Sequence, residues 1–99
     1  MIRVVDTRRT VVVASAAAVP GPPATQGRIG FTCHNNSPHP LRICYGGTAA
    51  SSTVYDEPIE PGMIYETPAD QCVIGAISCI WLNAAPTGAA YFSERIVNY

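Results

Sequence analysis

Residues 28–47 read RIGFTCHNNSPHPLRICYGG, two runs with an apolar period of two held apart by a polar, proline-containing turn. In the first run Ile29, Phe31 and Cys33 alternate with Arg28, Gly30 and Thr32; in the second Leu41, Ile43 and Tyr45 alternate with Arg42 and Cys44. Successive strand residues point to opposite faces, so this alternation predicts two strands that each bury one side.

The same rhythm extends in both directions. Proline and glycine fall at PGPP (20–23), NNSPHP (35–40), GG (46–47), PIEPG (58–62), TP (67–68) and APTG (85–88), between short runs rich in β-branched and aromatic residues. Seven candidate strands result: TVVVASAAAV, RIGFTCH, LRICYG, STVYD, MIYET, CVIGAISCIWL and YFSERIVNY. Turns at this spacing predict an all-β domain, a small antiparallel β-sandwich or jelly-roll-like barrel of six to eight strands. The run from Cys72 to Leu82 is apolar on both parities and reads as a central strand covered on both faces. Ile29, Phe31, Ile43, Ile74, Ile77, Ile80 and Trp81 are the expected core or subunit seam. Ala14–Ala18 have helix propensity, but so short a tract after TVVV does not nucleate a helix.

A chain of 99 residues is one domain's worth, here divided into an arm or first strand over 1–19 and a sandwich over 20–99. Only 13% of residues are charged and the net charge is −1, which describes neither a disordered chain nor a basic nucleic-acid binder. No apolar run approaches the roughly 18 residues of a membrane span. The opening MIRVVDTRRTVVVASAAAVPG has the outline of a secretory leader, but its apolar part contains no Leu or Phe, and an ordered arm is the expectation. Cys33, Cys44, Cys72 and Cys79 lack the paired short spacings of a zinc site. Reduced, packed thiols are expected. The competing expectation is a secreted or periplasmic β-sandwich binding module with Cys33–Cys44 or Cys72–Cys79 disulfides.

YDEPIEPGMIYET (55–67) is dense in acids, and Asp56, Glu57, Glu60, Glu66 and Asp70 fall within fifteen positions. Pro61-Gly62 supplies the fixed φ and the positive φ of a type II turn, so the segment reads as a corner between strands. It has neither the calcium-loop spacing nor a companion acid–base set. His34 and His39 bracket a turn, where solvation is commoner than ligation. Ser51-Ser52-Thr53 lacks a nucleophile elbow, and Gly46-Gly47 has no following lysine or helix to make a phosphate loop. No catalytic, cofactor or metal residues are assigned, and no enzyme is expected.

Taken together, Asn36 and Ser37, Tyr45 to Gly47, Ser51 to Thr53, Ile59 to Gly62, Ile74 to Ser78, Gly88 and Ser93 to Val97 resemble a small β-domain of tailed-bacteriophage virion structural proteins. The resemblance implies a non-enzymatic virion protein assembled in the host cytoplasm. A capsid decoration or cement protein is the first expectation and the base of a head or tail spike or fibre the second. It also implies a homotrimer or other symmetric homo-oligomer, with the major capsid protein or other virion subunits as partners, and neither nucleic acid nor membrane. The charges suggest how copies engage. Arg3, Val4, Val5, Arg8, Arg9, Val11, Val12 and Val13 form an arm for a neighbour's acidic corner at Asp56, Glu57 and Glu60, with the valines supplying affinity and the charges register.

Overall fold

The computed structural model describes residues 4–68 and 71–98. These form eight strands: β1 (Val4–Val13), β2 (Val19–Pro20), β3 (Arg28–Asn36), β4 (Leu41–Tyr45), β5 (Glu57–Ile59), β6 (Ile64–Glu66), β7 (Ile77–Trp81) and β8 (Ala89–Asn98). No helix occurs among the described residues, the Ala14–Ala18 tract included. Two four-stranded antiparallel sheets result, ordered β1-β8-β3-β6 and β2-β7-β4-β5, which we call sheet A and sheet B. The pairs are nested: β1 with β8, β2 with β7, β3 with β6 and β4 with β5. The fold is therefore an all-β sandwich, and the expected arm is its first strand.

The core fills the space between the sheets. Sheet A contributes Val12, Phe31, Cys33, Ala90 and Phe92; sheet B contributes Leu41, Ile43, Ile59, Ile77, Cys79 and Trp81. Phe31 sits at its centre, with ring centroids 5.9 Å from Phe92, 6.0 Å from Tyr65 and 6.1 Å from Tyr45. Each large apolar side chain so buried contributes about 1.5–3 kcal/mol.

Four expectations are corrected. The first concerns parity in β3. The register slips between Arg28, opposite Ile96, and Gly30, opposite Arg95, so Ile29 is the extra residue of a bulge. Phe31 and Cys33 face inward as expected, but Ile29 is only half-buried and Arg28 is turned into the interior, 1% exposed. The second is the run 72–82, of which only 77–81 is strand. The carbonyls of Val73 and Gly75 accept from Arg28 and that of Ile74 from the Thr25 amide, so this backbone is committed elsewhere, and Ile74 is 42% exposed. Third, STVYD is not a strand. The Ser51 hydroxyl accepts from the amides of Thr53 and Val54 and curls the chain locally, and pairing begins at Glu57. Fourth, Cys72 is exposed and not packed; all four cysteines are free, as the first expectation has it, and the competing disulfides are not formed, Cys33 and Cys44 lying in different sheets.

The Pro-Gly corner is where it was expected. The Met63 amide donates to the Glu60 carbonyl at 3.0 Å and Gly62 has φ 76°, which closes the turn and carries the chain from β5 in sheet B to β6 in sheet A.

Candidate functional site

The acids of the corner are spread out. The Asp56 carboxylate accepts from the Tyr45 amide at 2.7 Å, the Glu57 carboxylate from the Tyr65 hydroxyl at 3.4 Å, and Glu60 stands 3.9 Å from Arg42. Glu66 is exposed, and Asp70 lies outside the described residues. Burial, reinforced by the Tyr65 hydroxyl, pushes the Tyr45 hydroxyl well above its ordinary range and keeps it protonated. Among the described residues no three His, Cys, Asp or Glu side chains converge as a metal set. A shallow groove of about 250 Å³ beside β2, walled by Val19, Pro20, Ala49 and Ile77, is lined by no ionisable side chain.

The arm residues divide into two faces. Val12 is buried, while Val5, Val11 and Val13 are exposed, and so is Arg9. Arg8 turns inward: its Nε donates to one oxygen of Glu94 at 2.9 Å and its Nη2 to the other at 2.8 Å. Arg3 and the side chain of Val4 lie outside the described parts. β1 and β5 occupy edges of different sheets, so the fold does not join the arm to Asp56, Glu57 and Glu60 within one chain.

What pairing does assemble is an apolar row across the outer face of sheet A. Val11 lies opposite Tyr91, Tyr91 opposite His34, and His34 opposite Ile64, one residue from each of β1, β8, β3 and β6. Val11 is 60% exposed, Tyr91 44% and Ile64 65%. The His34 and Tyr91 rings lie 6.2 Å apart, and Asn36 Nδ2 donates to the Tyr91 hydroxyl at 3.5 Å. On one side the row is widened by Val13, opposite Ala89; on the other it is bordered by the polar row Arg9, Ser93, Thr32 and Glu66. An apolar band with a polar border has the anatomy of a docking surface.

Sheet B differs. Residues 46–56 fold back over its outer face, with Ala50 buried and its amide bonded to the Ser78 hydroxyl at 3.0 Å, and the Tyr55 ring lies 5.0 Å from the Arg42 guanidinium. Among the described residues, a loop covers the outer face of sheet B and none covers that of sheet A.

Sequence reasoning found Val11 and Val13 but missed Tyr91, His34 and Ile64. The available signal was apolar residues on both parities of MIY and AAY; which parity faces out depends on pairing. No family model matches the chain, and no curated protein matches it significantly.

Proposed function

We propose that the chain is a non-enzymatic structural subunit of a virion, a capsid decoration or cement protein that docks on the major capsid protein or another virion subunit through the outer face of sheet A. The observation that carries this reading is the row Val11–Tyr91–His34–Ile64, three of its four side chains exposed, on a sheet with no covering loop among the described residues. Two further features support it. The nesting of the pairs β1/β8, β2/β7, β3/β6 and β4/β5 supports a jelly-roll-like winding, an architecture common in capsid domains. The motifs between residues 28 and 97 resemble those of virion β-domains. A flat apolar face acts by area and not by chemistry, which suits a clamp between larger subunits; a specific contact would bury more than about 1,000 Å² in total.

The test is physical. Particles purified on a density gradient from cells producing the chain should carry it in stoichiometric amount, and particles made without it should fail at lower temperature or under milder osmotic shock. Particles that lack the chain, or that survive stress equally well without it, would remove the cement reading.

A further inference from the structure

The sandwich has four open sheet edges, and three of them are blunted. β2 is two residues long and contains Pro20; β5 is three residues long and contains Pro58; β6 is three residues long. Short edges and prolines are the usual protection against edge-to-edge pairing. The fourth edge, β1, has no such device. It runs for ten residues without proline, and its register with β8 is unbroken from Val4 opposite Asn98 to Val13 opposite Ala89.

The direction of its free backbone groups follows from one hydrogen bond. The Ala14 amide, which continues the β1 register, donates to the Gly88 carbonyl at 3.0 Å, so even-numbered residues of β1 turn their N–H and C=O toward β8. The odd-numbered residues Val5, Thr7, Arg9, Val11 and Val13 therefore direct theirs away from the sheet. Their side chains are all exposed on its outer face.

We propose that this edge binds β1 of a second copy in antiparallel register, merging two copies of sheet A into one eight-stranded sheet. A two-fold axis normal to the sheet sets odd residues against odd residues and keeps both outer faces on one side, so the two apolar rows lie on the same face of the merged sheet. Every allowed register but the one centred on Arg9 keeps the two Arg9 side chains from standing directly opposite each other. Arg8 adds little repulsion, because its guanidinium is held by Glu94 of its own chain. Such pairing closes as a dimer, so in this proposal the symmetric homo-oligomer is even-numbered and not a trimer. The inference does not rest on the virion reading, since it concerns an edge and not a face.

The experiment is amide hydrogen exchange on the full chain, read residue by residue by NMR, with sedimentation velocity over a range of concentrations. A concentration-dependent dimer is expected, with β1 centred within a residue of Arg9, in which the amides of Thr7, Arg9 and Val11 exchange at least about tenfold more slowly than in the monomer, joined by Val5 or Val13 according to the register. Val11→Pro removes an outward N–H without taking a bond from β8, so it should weaken dimerisation by about tenfold or more through the two bonds lost per dimer. A monomer at all accessible concentrations overturns the proposal. So do Thr7, Arg9 and Val11 amides that exchange at unprotected rates in a dimer or are already protected in a monomer, and so does a folded Val11→Pro variant that dimerises normally. If that variant does not fold, the wild-type exchange pattern decides.

Discussion

The Nε–H of Arg28 donates to Glu94 Oε2 at 2.7 Å, and neither side chain reaches solvent. The remaining Arg28 donors are taken by the carbonyls of Val73, Gly75 and Pro23 and by the Thr25 hydroxyl, so one buried guanidinium ties β3 to both neighbouring loops. Glu94 also receives Arg8 from β1, so from β8 it is the shared acceptor of two other strands. Burial by itself would raise its pKa; the hydrogen bonds and charges of Arg8 and Arg28 outweigh burial and hold the carboxyl below its ordinary value.

Glu94→Gln leaves Arg28 buried without its counter-charge and should destabilise the fold by about 3–5 kcal/mol, measured by urea unfolding at neutral pH. The pH dependence follows from the lowered pKa. The stabilisation is complete above the unfolded-state glutamate value of about 4.3 and is lost as pH falls through the lower folded-state value, because the unfolded chain takes up the proton first. The wild type should therefore lose more stability than Glu94→Gln on acidification below pH about 4. Parallel acid profiles for the two proteins would show that Glu94 is not the linked group.

Asn35 is fully buried and bonds four ways. Its Nδ2 donates to the carbonyls of His39 at 2.8 Å and Ile59 at 2.9 Å, and its Oδ1 accepts from the Ser37 hydroxyl at 2.7 Å and Trp81 Nε1 at 3.3 Å. Asn35→Ala strands several buried polar groups at about 1–3 kcal/mol each. Thermal melts should show a loss of about 3 kcal/mol or more, against less than about 0.5 kcal/mol for Asn36→Ala, whose side chain is exposed. Equal losses would refute this division of roles.

The thiols should separate by reactivity. Burial pushes Cys79 up to about 12, and burial together with neighbouring Cys79 pushes Cys33 higher still, while Cys72 is exposed. Since the thiolate is the reactive form, a disulfide reagent at neutral pH should modify Cys72 promptly, leave Cys33 and Cys79 untouched in the folded state, and count four thiols after denaturation. Fewer than four in denatured, unreduced protein would point to the oxidised, secreted alternative.

Ile64→Lys and Tyr91→Lys each place a charge in the apolar row without touching the core. Both variants should fold with stability within about 0.5 kcal/mol of wild type. Both should lose particle binding in a sedimentation assay. Retained binding by folded variants would move the contact away from the outer face of sheet A.

The sequence was most legible where structure is set locally. Phe31 and Cys33 on one side of β3, Leu41 and Ile43 on one side of β4, and the turn at Pro61-Gly62 follow from two-residue alternation and from backbone preferences of single residues. The same local signals misled at STVYD, whose β-branched residues look like strand but whose Ser51 hydroxyl competes for the backbone. They misled again at Val73 to Gly75, an apolar segment whose carbonyls serve a buried arginine.

The sequence by itself determined an all-β chain, its principal turns and half of its core, because a strand's alternation and a Pro-Gly turn are properties of neighbouring residues. Only the tertiary structure decided that Arg28 faces inward, since the bulge at Ile29 is tolerable only with Glu94, 66 residues away, ready to receive the charge. It alone also aligned Val11, Tyr91, His34 and Ile64 into one row. Those four residues lie on four strands, and a register shift of one residue in any of them would turn its side chain from solvent to core.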